Sequence, residues 1–196
     1  MRAWAVALVA LAGCDRLFEI THVDPTSVDA MSTIDTPPDA THLCPGDYHA
    51  IPGAPDVSLY RWNPAQLIWS EAEADCEDDS PYPITHLLVF DRPGEMEAVR
   101  AALNAMFFNQ FASHTGYARN VLDNPYEFYA VTGEPVPQTR PPWNMGEPTG
   151  TVGPGEETTV RFESFTDLID QPWDFPLSSL CECDQRPVTK TFTLNR

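Results

Sequence analysis

Apolar positions recur at helical spacing in two stretches of this chain and at strand-like spacing in several others. Ala65, Trp69, Ala72 and Cys76 share one face of a helix, because 3.6 residues per turn bring positions three and four apart together. Asn63-Pro64 supplies a capping residue and a first-turn proline, so this helix is predicted to start there. A second helix is predicted from about Asp91-Arg92-Pro93. Glu95 and Glu97 sit near the positive end of its dipole, and Met96, Val99, Leu103, Phe107 and Phe111 form its apolar stripe, read as a core face. Strands are predicted at residues 86–90, a continuous apolar run; at 128–131, closed by the turn signal Thr132-Gly133; at 158–162, where polar and apolar residues alternate; and at 177–183. Residues 133–155 are rich in proline and glycine and long for a loop inside a compact domain, a length that marks functional or disordered segments. Residues 15–42 carry few apolar side chains after Phe18 and Ile20. Such a segment cannot bury enough surface to offset its ordering entropy, so a disordered acidic Thr/Pro-rich tether is expected there. The folded domain is expected over residues 43–185, with 186–196 as a tail.

Composition narrows the function classes. With 196 residues and 42% hydrophobic content the chain can form one domain with a real core. A net charge of -18 argues against nucleic acid, whose phosphates need a basic surface. It suits cations such as calcium, or basic partners, although a solvated acidic surface explains it without any partner.

Arg2 precedes the short apolar run 3–10, and Leu11-Ala12-Gly13-Cys14 follows. This resembles a bacterial lipoprotein signal over residues 1–14, with Cys14 lipidated; an ordinary secretory signal cut nearby is the alternative. The run is too short to span a membrane. The resemblance implies an exported protein, lipid-anchored to the bacterial cell envelope and touching the membrane through that lipid only. Four cysteines then remain, Cys44, Cys76, Cys181 and Cys183. An even number in an exported domain predicts two disulfides, with three connectivities open. Cys181 and Cys183 are expected to reach in two directions to two different partners.

Trp143-Asn144-Met145-Gly146-Glu147-Pro148-Thr149 is the most informative stretch. It resembles the W-N-x-G-E-P-N segment of C-type lectin domains, in which a Glu and an Asn flanking a Pro hold a calcium ion and a sugar's hydroxyls. Trp69-x-x-Ala72-x-x-x-Cys76 is similar to that family's first-helix signature, Leu180-Cys181-Glu182 to its closing strand, and residues 128–135 to its F-x-W-x-x-G-x-P stretch. His114-Thr115-Gly116-Tyr117 stands where the family has W-I-G-L and keeps the glycine. The likeness covers roughly residues 44–184. It implies an α+β fold of the C-type lectin-like kind, two helices with small antiparallel sheets and a long irregular loop region. It also implies a Cys76–Cys181 disulfide, and with it Cys44–Cys183.

Three departures qualify the resemblance. The family's second disulfide is missing, with Thr158 or Thr159 and the 176–177 region in its place. The W-N-D motif is read at Pro172-Trp173-Asp174, without its Asn, and E-P-N reads Glu147-Pro148-Thr149. Carried over by position, Glu147, Glu156 and Asp174 are the implied metal ligands, with Glu157 in reserve and the Thr149 hydroxyl replacing an amide oxygen. Trp143, Asn144, Glu147, Thr149, Glu156 and Asp174 form the implied ligand site. Loss of both Asn amides, which also donate to sugar hydroxyls, is expected to damage sugar binding more than metal binding. Trp143 and Trp173 are also expected core residues, and Gly146 and Pro148 fit loop geometry alone. The expected function is therefore a lectin-like binding domain with a degenerate calcium site and a glycan ligand, or else a calcium-independent protein-binding or structural module. Enzymatic readings are weaker. His22, His42, His49, His86 and His114 lack metal-ligand spacing, and no G-x-S-x-G, P-loop or dinucleotide fingerprint occurs. A carboxylate pair for glycoside hydrolysis among Glu147, Glu156 and Asp174 has nothing else to support it.

Overall fold

The computed structural model describes residues 43–120, 124–136, 143–149 and 157–194. The predicted signal with Cys14, the tether at 15–42 and Glu156 lie outside the described residues. Within them the chain runs β1 (Leu59–Leu67), α1 (Trp69–Glu77), β2 (Thr85–Leu87), α2 (Glu95–Phe107), β3 (Ala112–Asn120), β4 (Asn124–Ala130), β5 (Glu157–Glu163), β6 (Leu168–Pro172) and β7 (Leu177–Cys183). The strands form one mixed sheet in the order β1-β7-β3-β5-β6, with β2 also pairing β7 and β4 also pairing β3. All pairings are antiparallel except β3 with β7. This is the expected α+β architecture.

The first helix starts later than predicted. Asn63-Pro64 lies in β1, where the register with β7 shifts between Asn63 and Leu67. Pro64 cannot donate to a ladder, and such residues are accommodated at bulges and sheet edges. The Asn63 side-chain oxygen accepts the Ala65 N–H at 2.9 Å, a local turn that uses the same chemistry as a helix cap. α1 instead opens at Trp69, whose N–H is taken by the carbonyl of Trp173. α2 matches its stripe except at Phe111. The helix stops at Phe107 because Phe108 and Asn109 turn left-handed, with φ of 52° and 61°. Phe111 is still buried, beyond that turn.

β7 is buried along its whole length and is the spine of the domain. Cys181 bonds Cys76 on α1, and Cys183 bonds Cys44 near the start of the described chain, as the resemblance implied. The two cysteines reach different partners from the same side of β7, since residues two apart on a strand face one way. Gly116 of β3 passes so close to β2 that a Cβ there would sit 2.5 Å from the Leu87 carbonyl. That close approach is the reason this glycine stands in an otherwise altered stretch.

Residues beyond the expected boundary at 185 pack back onto the core. The N–H groups of Thr189 and Lys190 both reach the Val131 carbonyl at 3.0 Å. The Phe192 ring meets Trp69 edge-on at 5.7 Å.

Candidate functional site

The informative loop is pinned at its start by burial. Trp143 is fully buried, its ring 5.0 Å from that of Phe128 on β4. It bridges Leu168 at the head of β6, and the next N–H, of Asn144, donates to the Leu168 carbonyl at 3.0 Å. Glu147 N–H closes a turn onto the Asn144 carbonyl at 3.1 Å, with Gly146 at φ 89° supplying the left-handed backbone the turn requires. The Glu147–Pro148 peptide is cis.

Past that bond the loop meets two strands. Thr149 N–H donates to Asp170 Oδ1 on β6 at 3.2 Å. The Thr149 hydroxyl donates to the Glu157 carboxylate on β5 and lies 3.4 Å from Asp170 Oδ1. One Glu147 carboxyl oxygen, Oε2, is buried without a hydrogen-bond partner. Burial, then the hydrogen bond and charge of Asp170 and the charge of Glu157, push the Glu147 carboxyl up to about 7. The other oxygen of Asp170, Oδ2, is held by Arg119 of β3 at 2.8 Å. Arg119 in turn lies over the Phe128 ring, its Cζ 4.2 Å from the centroid.

Thr149 thus joins Glu157 of β5 to Asp170 of β6, and the Glu147 carboxyl lies close enough to feel both. All are hard donors of the kind calcium selects, but their carboxylates are not drawn together as a metal cluster, and Glu147 Oε2 is buried without a hydrogen-bond partner. Calcium takes six to eight oxygens, so these side chains would have to close around it and leave the remaining positions to water or ligand hydroxyls.

Two clusters elsewhere have metal-ligand spacing among the described residues, and neither suits a metal. Asp75 lies near Cys76 and Cys181, but both sulfurs are spent in a disulfide. His86, Glu182 and Asp184 meet in the core, yet both His86 ring nitrogens are already engaged, with the Leu87 carbonyl at 2.9 Å and Asp184 at 3.1 Å. Burial disfavours the charged ring, but the hydrogen bond to Asp184 and the charges of Glu182, Asp184 and Glu73 outweigh it and raise His86 to about 9. This is a buried ion pair.

The fold has clear relatives among solved structures. Human lithostathine superimposes with a TM-score of 0.57 at 18% identity, over 78% of this chain and 98% of its own. The C-type lectin CEL-I from Cucumaria echinata gives 0.58 at 18% identity, over 71% and 96%. SPL-1, in a structure described as a GlcNAc complex, gives 0.55 at 15% identity, over 72% and 95%. The chain has the C-type lectin-like fold. No protein-family model matches its sequence, and no curated protein does.

In this lectin-like domain the expected site residues divide. Glu147, Thr149 and the reserve carboxylate Glu157 come together. Trp143 supports the loop from the core, and Asn144 contributes a backbone bond. Asp174 is exposed in the turn after β6, where Phe175 N–H bonds the Pro172 carbonyl. The carboxylate that faces the loop is Asp170, four residues earlier. Of Leu168-Ile169-Asp170 only the last residue matches W-N-D, so the sequence carried little signal for it. Arg119 carries no motif at all; only the packing of β3, β4 and β6 brings it to the site.

Proposed function

We propose that this lectin-like domain recognises glycans through the 143–149 loop, with Glu147, Thr149, Glu157 and Asp170 as the ligand-facing set. The joining of Thr149 to Glu157 and Asp170, beside the Glu147 carboxyl, carries the reading. A bound calcium would supply a charged centre for sugar hydroxyls; the residues themselves orient the loop and accept hydrogen bonds from the hydroxyls. SPL-1, with the same fold, was solved with GlcNAc, which supports a sugar as the ligand class, although a shared fold does not transfer function by itself. The test is a thermal melt of the oxidised protein in millimolar calcium and in excess EDTA, followed by a glycan screen. A ligand that binds only the folded state must raise the melting temperature. A shift that disappears in Glu147→Ala supports the reading, and glycan retention unchanged in that variant sinks it.

A second reading has its own observation. Asp170 is already charge-balanced by Arg119, so the loop is organised without a metal and suits a calcium-independent protein partner. A partner captured equally in EDTA and calcium favours this reading; strict EDTA sensitivity removes it.

We further propose that the domain is exported and held to the cell envelope by a lipid on Cys14, with residues 15–42 as the tether. The Leu11-Ala12-Gly13-Cys14 pattern supports this, and two disulfides suit an oxidising compartment. Radiolabelled palmitate incorporated by the full chain and lost in Cys14→Ser is the expected result. Label retained in Cys14→Ser counts against it.

A further inference from the structure

We infer that Arg119 is a positioning residue for this site, a built-in cation that holds the 143–149 loop in its binding shape when no metal is present. The inference rests on the reading of that loop as the ligand-binding site. It extends the reading by naming what organises the loop and how calcium would act on it.

Arg119 touches both ends of the described loop at one remove. Towards Trp143, its guanidinium lies over the Phe128 ring, and Phe128 packs on the Trp143 ring. Towards Thr149, it binds Asp170 Oδ2, while Asp170 Oδ1 accepts the Thr149 N–H. The side chains of Arg119 and Asp170 are 3% and 0% exposed. At that depth an unpaired carboxylate is strongly disfavoured, and removing one member of a buried pair leaves the other uncompensated. The planar fork of arginine stacks on an aromatic ring with its face while donating along its edge, which lysine cannot copy in full. Arg119 therefore fixes Asp170 in the one place from which it can grip Thr149. The adjacent carboxylates of Glu147 and Glu157 would otherwise repel it.

The chemistry predicts that guanidinium and calcium are alternative counter-ions for Asp170. With Arg119 present, the loop is ordered in EDTA. Without it, Asp170 loses its guanidinium partner at 2.8 Å, and a divalent cation can take that place.

The decisive experiment follows amide hydrogen exchange of Thr149 in the oxidised full chain, with the β7 amides as an internal control for global stability. Wild type, Arg119→Lys and Arg119→Gln are compared in EDTA and in millimolar calcium, calcium alone being the probe. The expected pattern is protection of Thr149 in wild-type protein in EDTA. In Arg119→Gln it falls by about tenfold or more relative to β7 and returns with calcium, as local opening would produce. Arg119→Lys, which keeps the charge without the fork, is expected to lie between. Should Arg119→Gln fail to fold in EDTA, folding on addition of calcium supports the assignment and failure to fold in calcium overturns it. Thr149 protection in Arg119→Gln equal to wild type in EDTA overturns it too. If the exchange pattern holds but no glycan is retained by wild type, the sugar reading fails and the role of Arg119 stands.

Discussion

The backbone N–H of Thr149 lies 3.2 Å from Oδ1 of Asp170, so the loop is tied to β6 by its main chain whatever side chain follows Pro148. Replacing Thr149 should therefore leave the loop in place and change only its donors. Thr149→Asn adds an amide oxygen for a cation and an amide N–H for a sugar hydroxyl. Calcium affinity is expected to rise by about tenfold, roughly one good oxygen ligand's worth, in a fluorescence titration. Equal affinity in the two proteins would show that the hydroxyl already serves as well.

Trp143 is the loop's anchor in the core. Trp143→Ala removes the largest fully buried side chain and the ring partner of Phe128. Such truncations cost about 3–5 kcal/mol. Chemical denaturation should show that loss, together with loss of the calcium response. A cost under about 1 kcal/mol would mean that the site collapses easily around the gap.

Gly116 tests the close approach of β3 to β2. In Gly116→Ala the new methyl group meets the Leu87 carbonyl at 2.5 Å and a Val89 methyl at 2.8 Å. One contact is backbone and cannot swing away. Overpacking of this kind costs roughly 1–3 kcal/mol, sometimes more. A melting temperature at or above the wild-type value would show that the strands separate freely.

Stability should fall as pH rises from mildly acidic to alkaline. Burial raises Glu73 to about 7, partly offset by the charge of His86 and the Leu87 N–H. Burial and the charge of Glu95 raise Glu182 to about 8, and His86 is raised to about 9 by Asp184 and its acidic neighbours against its burial. A folded pKa above the unfolded one means tighter proton binding in the folded state, so each contribution is complete below the unfolded pKa and lost as pH climbs through the folded one. The window runs from about 4.5 to 8 for the two carboxyls and from about 6.5 to 9 for His86. His114 works in the opposite sense. Burial lowers it to about 4, so its contribution is lost as pH falls from 6.5 towards that value. Two raised carboxyls outweigh the one lowered imidazole, so the decline begins on the acidic side of about pH 5. Melts from acid to alkaline pH check it, and Glu182→Gln should flatten the decline above neutrality. A melting temperature that climbs steadily from acid to alkaline pH would contradict the assignment of these groups.

Removing residues 187–196 should destabilise the domain, because Phe192 covers Trp69 and the strand-like bonds to Val131 go with it. A fully exposed Trp69 edge and two lost hydrogen bonds amount to roughly 2–4 kcal/mol. Unchanged melting of the truncated protein would return this segment to the status of a tail.

The sequence alone determined the elements whose signals are local. The stripe of α2 and the strand at 177–183 rest on side chains that act within one or two turns of chain, whereas the loop from Trp143 to Thr149 was read through its likeness to a family motif. The disulfide partners were legible only through the family likeness. Tertiary structure decided the rest. Asn63-Pro64 carries a helix-start signal, yet pairing with β7 placed it in a strand, because a sheet ladder outweighs one cap. Asp170, and not Asp174, faces the loop because the register of β5 against β6 puts it there, and four residues along the chain lead out of the strand altogether. Arg119 was invisible for the same reason. Its partner is 51 positions away and its ring platform comes from a third strand, and no one-dimensional spacing records a meeting that exists only when three strands and a buried tryptophan are packed together.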